Sequence, residues 1–120
     1  MILIHTDENG DGPQPGSDEF NEMLALYGQY NQKLMDGGHW IAGASLQPTA
    51  TATTVHVTAG GAAPRIVDGP YAETKEQLGG YYVIRAEDLD EALQLAGEIP
   101  AGDAAIEVRP LSFRPDAHLG

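Results

Sequence analysis

The chemistry-bearing residues of this chain are densest between residues 67 and 82, which read Val-Asp-Gly-Pro-Tyr-Ala-Glu-Thr-Lys-Glu-Gln-Leu-Gly-Gly-Tyr-Tyr. Asp68 leads this run. A carboxylate at a strand end, lining a pocket between sheet and helix, can act as a general base. Asp before Gly-Pro also closes turns by bonding nearby amides, here those near Gly69 and Tyr71. Both roles are open to Asp68, and a turn aspartate can still face a cavity. Lys75 and Glu76 follow in the same loop, beside the aromatic Tyr71. They can bind an acidic or polar ligand. They can equally pair with Glu73 or Arg65 on the surface, where ion pairs contribute only about 0–1 kcal/mol. Glu76 directly precedes Gln77-Leu78 and is the more inclined of the two to point inward.

The four histidines are His5, His39, His56 and His118. None has a partner at i+4, and no two stand at a recognisable metal-ligand spacing, so no metal or other cofactor is expected. His5 and His39 fall at the ends of probable neighbouring strands. Were they to converge with Asp68, two imidazoles and a carboxylate would suit a transition metal. His56 belongs to a polar strand face, at solvent or a dimer interface. Asp7-Glu8-Asn9-Gly10-Asp11-Gly12, with Asp18 beyond, partly matches a calcium loop of the D-x-N-x-D-G type. A strand rather than a helix precedes it, Pro13 and Pro15 stiffen it, and Asp stands where a bidentate Glu belongs. A solvated acidic loop is the expectation. There is no local Ser-His-Asp signature, phosphate-cradling loop or dinucleotide fingerprint.

The elements that must position these residues follow from periodicity. Ile2-Leu3-Ile4-His5-Thr6 reads as a strand. Ser17 is a good helix N-cap, with Asp18 and Glu19 favouring the dipole. Phe20, Met23, Leu24, Tyr27, Tyr30 and Leu34 then form an apolar stripe, which Gly37-Gly38 ends. Tyr27 and Tyr30 are amphipathic: core rings whose hydroxyls sit at the rim or reach a pocket. Residues 39–46 form a second strand. Residues 51–58 alternate, with Thr53, Val55 and Val57 on one face and Thr54, His56 and Thr58 on the other. Residues 65–67 return as a short strand, and a strand with an apolar middle runs over residues 81–86. The glycines before Tyr81 mark a bulge or a close backbone approach at its start. Asp88 caps a second helix with Glu91 at capping-box spacing, and Leu89, Ala92, Leu93, Ala96 and Ile99 make its apolar side. Residues 105–109 alternate as a last strand.

Strand–helix–strand halves in this order predict an α+β, ferredoxin-like sandwich: a split β-α-β layout carrying an extra hairpin. Residues 1–111 make one domain and residues 112–120 a tail. Two helices cover one sheet face, so a homodimer formed sheet to sheet is the expected cover for the other.

Composition narrows the partners. With 18 acidic and 6 basic residues the formal net charge is −12, which repels nucleic acid and anionic membrane. Apolar content of 42% supports a packed core. The absence of cysteine excludes disulfides and thiolate chemistry. No run is long enough to span a membrane, no signal peptide is evident, and a cytoplasmic protein is expected.

The run from Val67 through Tyr82 closely resembles the signature of the DGPF proteins, a branch of the YCII-related family named for Asp-Gly-Pro-Phe, with Tyr71 in place of the Phe. Asp88-Leu89-Asp90-Glu91-Ala92, Ile106-Glu107-Val108-Arg109-Pro110-Leu111, Gly37-Gly38 leading to Gly43, and Leu46-Gln47-Pro48 also look like that family. The resemblance implies a dimeric α/β-barrel built from ferredoxin-like subunits. Three functions stay open: a small-molecule pocket near the Asp-Gly-Pro-Tyr loop without established catalysis, a lyase or isomerase, as the resemblance implies for some relatives, with Asp68 as acid–base, or, again as the resemblance implies, an accessory protein of an extracytoplasmic-function sigma factor. In the wider family a His on the first helix pairs with an Asp. Tyr27 falls where that His would stand, so the dyad is not present here.

Overall fold

The computed structural model describes residues 1–10 and 12–115. Strand β1 spans Ile2–Asp7, helix α1 Asp18–Asp36 and strand β2 Trp40–Ser45. A 3-10 turn at Thr49–Thr51 leads to β3, Thr53–His56, and β4, Arg65–Asp68. Strand β5 spans Glu76–Ile84, helix α2 Leu89–Gly97 and strand β6 Ala105–Val108.

Local chemistry explains both helices. The Phe20 amide donates to Ser17 Oγ at 3.1 Å, with Asp18 and Glu19 in the first turn. At the other end the His39 amide donates to the Leu34 carbonyl and the Gly38 amide to that of Met35. This is a Schellman motif, and it needs the left-handed conformation that Gly38 adopts at φ +75°. Because His39 belongs to this cap, β2 starts at Trp40 and not at His39 as the pattern predicts. On α2 the Glu91 amide donates to Asp88 Oδ1 at 2.8 Å, and Glu91 Oε1 accepts from the Glu87 amide at 3.0 Å.

Four strands form one antiparallel sheet in the order β2-β5-β1-β6, and β3 pairs with β4 in a separate two-stranded sheet. This α+β arrangement is compatible with a ferredoxin-like sandwich, with β3–β4 as the additional hairpin. The core joins Ile2 and Ile4 of β1, Tyr30 and Leu34 of α1, Tyr82 of β5, and Leu95 and Ala96 of α2. Both helices therefore lie on one face of the sheet. Strand alternation sends Leu3, His5 and Tyr81 to the other face.

Several boundaries and faces differ from the sequence pattern. Leu24 is 52% exposed, because the buried stripe of α1 runs through Tyr27, Tyr30 and Leu34. On α2, Leu89 and Leu93 are exposed and Leu95 is buried, while Ala96 is buried as the pattern predicts. Strand β5 begins at Glu76, five residues ahead of the predicted start at Tyr81. The glycine pair lies inside this strand: Ile4 pairs with Gly80 and His5 with Leu78, leaving Gly79 as the extra residue of a bulge. Strand β3 is shorter than predicted because residues 49–51 wind into the 3-10 turn. Its faces are also reversed: Thr54 and His56 are half-buried, whereas Val55 is 54% exposed.

Candidate functional site

Where the β3–β4 hairpin joins the sheet, the connecting segments enclose a cleft of about 360 Å³. Glu8 and Asn9 follow β1, Thr49 and Ala50 belong to the 3-10 turn, and Gly69 and Pro70 follow β4. Glu73, Thr74, Lys75 and Gln77 complete the lining from the approach to β5. The volume is at the lower end of the range for small-molecule sites.

Hydrogen bonds hold these walls. Glu8 clamps the 3-10 turn with both carboxylate oxygens: Oε1 accepts from the Thr49 amide at 2.8 Å and Oε2 from Thr49 Oγ1 at 2.6 Å. The Gly69 amide donates to the Ala52 carbonyl, and the Gly69 carbonyl accepts from Thr54 Oγ1 at 2.7 Å. Gly69 itself stands at φ +101°, a conformation that disfavours any side chain. Gln77 Nε2 donates to the Ala72 carbonyl at 2.8 Å and to that of Thr74 at 3.2 Å, fixing the loop that carries Lys75. Among the described residues, neither Lys75 nor Glu73 has a hydrogen-bond or ion-pair partner. The cleft thus has a tied framework and two free charges of opposite sign.

The other residues singled out from the sequence are dispersed. Asp68 ends β4, is exposed and does not line the cleft; its carboxylate bonds no amide among the described residues. The expected turn bonds to amides near Gly69 and Tyr71 are therefore not made, because the Gly69 amide is already engaged by Ala52. Tyr71 is 83% exposed, its ring 6.4 Å from that of His56. Glu76 opens β5 opposite Asp7 and is exposed, outside the cleft lining.

His5 and His39 each have a different partner. His5 Nε2 lies 3.2 Å from Glu107 Oε1. His39 Nδ1–H donates to the Arg85 carbonyl at 2.8 Å, with Glu91 Oε1 at 3.8 Å. The two do not meet Asp68, and among the described residues no group of three His, Asp or Glu side chains could hold a metal. In the acidic loop, Asp7 Oδ1 accepts from the Asn9 amide and Glu8 is committed to Thr49. Asp11 of that loop, and His118 in the tail, lie outside the described residues.

Tyr27 is partly buried and packs against the core, near Tyr30 and Tyr82. Tyr82 meets the Tyr30 ring edge-on at 5.5 Å and the Trp40 ring at 5.9 Å. Its hydroxyl donates to Asn31 Oδ1 at 2.5 Å, and that of Tyr30 to the Leu95 carbonyl at 2.7 Å. Burial raises the Tyr27 and Tyr30 phenols, and burial followed by the neighbouring Tyr27 pushes Tyr82 up to about 12. These phenols hold their protons at neutral pH, and those of Tyr30 and Tyr82 act as hydrogen-bonded structure.

Sequence reasoning missed Glu8, Thr49 and Gln77 as cleft-forming residues. Glu8 and Thr49 stand 41 residues apart, with no periodicity linking them. Gln77 carried a weak signal, as the polar residue between the charged loop and the apolar strand.

An antiparallel α+β sandwich with a cleft at the root of a hairpin defines the class, and the sequence comparison gives the family. The YCII-related domain matches residues 1–112, and the chain belongs to that family. It is 40% identical over 121 residues to an uncharacterized protein of Rhizobium meliloti (strain 1021), an alignment covering 98% of this chain and 95% of that protein. No helix among the described residues is long and apolar enough to cross a membrane.

Proposed function

We propose that this YCII-related chain is a dimeric cytoplasmic binding protein whose cleft at the Asp-Gly-Pro-Tyr loop takes a small zwitterionic or strongly polar molecule. The observation that carries this reading is the pair of unpartnered charges, Lys75 and Glu73, lining one cleft whose backbone is fixed by Glu8, Thr54 and Gln77. An ammonium and a carboxylate recognise a ligand's opposite charges, and a fixed frame lowers the ordering cost of doing so. The uncovered sheet face supports the dimer, since Leu3 and Tyr81 lie there with no helix over them.

A lyase or isomerase using Asp68 as base has less support. Asp68 is exposed and outside the cleft, and Tyr27 belongs to the core. An accessory role beside a sigma factor would need an apolar docking face away from the cleft. The β3–β4 hairpin offers one, and its behaviour in solution separates that role from self-association.

Titration calorimetry with free amino acids, using acetate and methylamine as half-ligand controls, tests the binding reading. A zwitterion should bind more tightly than either control, and Lys75→Gln and Glu73→Gln should each weaken it by about tenfold or more. No amino-acid binding at millimolar concentration, or binding indifferent to both substitutions, would remove the cleft as the site.

A further inference from the structure

The cleft lies at the root of an arm, the β3–β4 hairpin, and the charges along its lining are unequal. The lining holds two carboxylates, Glu8 and Glu73, and one cation, Lys75. The acidic excess continues into the flanking residues. Asp7 precedes Glu8, Asp68 precedes Gly69 and Glu76 follows Lys75. Asp7 and Glu76 stand directly opposite each other on β1 and β5, which sets two like charges side by side at the edge of the site. No other Lys or Arg occurs between Arg65 and Arg85, and none precedes Lys33. The field at the cleft is therefore negative and draws cations toward it.

Glu8 is oriented by the arm but not used up by it. Each of its carboxylate oxygens accepts one hydrogen bond from Thr49, at 2.8 Å from the amide and 2.6 Å from Oγ1. An ionised carboxylate has about four acceptor sites, so each oxygen keeps one for a ligand. Both Thr49 donors are neutral and leave the negative charge uncompensated. A carboxylate in that state bonds most strongly to a charged donor. A neutral zwitterion would satisfy Lys75 and Glu73 and leave Glu8 unanswered. An acidic one would set a like charge against it.

We propose that the ligand of this cleft is a basic amino acid, whose α-carboxylate meets Lys75 and whose two positive groups meet Glu73 and Glu8. Ligand and lining then match in the number and sign of their charges. The inference rests on the zwitterion reading above and narrows it to one ligand class, with Glu8 as the residue that sets the preference.

Titration calorimetry of the full chain with lysine, norleucine and pentane-1,5-diamine tests it. Norleucine is lysine without the side-chain ammonium, and the diamine is lysine without the carboxylate. Lysine should bind more tightly than either by about threefold or more, as one exposed ion pair allows. Its advantage over norleucine should shrink at high salt and vanish in Glu8→Gln, with far-UV circular dichroism as the fold check. The wild-type ratios decide the ligand class even if that variant does not fold. Norleucine binding as tightly as lysine overturns the inference and leaves the zwitterion reading in place. The diamine binding as tightly as lysine overturns it too, because the carboxylate is then not read. A lysine advantage unchanged in folded Glu8→Gln overturns the role of Glu8. No binding of lysine or norleucine at millimolar concentration overturns the inference together with the reading it rests on.

Discussion

The four-stranded sheet and the arm use the same period-two alternation for opposite ends. In β1, Ile2 and Ile4 turn inward to meet Leu34 and Tyr82, and water is excluded from all four. In the arm, Val55 and Ile66 alternate just as regularly but meet only each other. What separates the two regions is the presence of a helix to receive the apolar face. Alternation specifies which side chains share a surface; a second layer decides whether that surface becomes interior.

Substitutions on each side can break that contrast. Leu34 is fully buried, so Leu34→Ala should cost about 2–5 kcal/mol in urea unfolding. Ile66→Ala, measured in protein dilute enough to be monomeric, should cost no more than about 0.5 kcal/mol. Comparable losses at the two sites would mean that the arm folds onto the body.

Gly43 gives the next largest effect. A Cβ there would lie 2.9 Å from Tyr82 Cδ1 and 3.1 Å from Trp40 Cη2. Tyr82 is wedged between Tyr30 and Trp40 and has little room to yield. Gly43→Ala should therefore cost about 1–3 kcal/mol through overpacking, read from the same unfolding curves.

The smallest effect sharpens the comparison by pH. Unfolded tyrosines ionise near pH 10, whereas burial holds the proton on Tyr82 to about 12 and raises Tyr30 as well. Between those values the folded chain binds more protons than the unfolded one. The stability these phenols contribute is complete below about pH 10 and is lost as pH rises through about 12. Tyr82→Phe should cost about 1 kcal/mol at neutral pH, from the lost bond to Asn31, and should flatten the alkaline fall. An unchanged alkaline slope would show that Tyr82 ionises freely in the folded protein.

The helix caps were legible in the sequence because their chemistry is local: Ser17, Asp88 and Glu91 act within four residues of themselves. The order of strands and helices was legible from alternation and stripe. On α2 the predicted side was right for Ala96 and Ile99 but wrong for Leu89 and Leu93, which are exposed while Leu95 is buried in their stead. The loop carrying Lys75 was recognisable as a site, but its frame was not. Glu8 reaches Thr49 from across the chain, and Asp68, the most suggestive carboxylate in the sequence, stays at the end of an exposed strand. Long-range side-chain contacts leave no periodic trace, whereas turns and caps do.

The extra residue in β5 has an effect beyond its own position. A pleated strand is a two-colour sequence, and Gly79 repeats a colour. Downstream, Gly80 and Tyr82 match Ile4 and Ile2; upstream, Gln77 rather than Leu78 matches Thr6. The segment that builds the cleft and the segment that builds the core are therefore written in opposite phase. Deleting Gly79 would leave Gln77 and Leu78 on their present faces, whereas pairing Gly79 as an ordinary strand residue would turn Gln77 away from the cleft and Leu78 toward the helices.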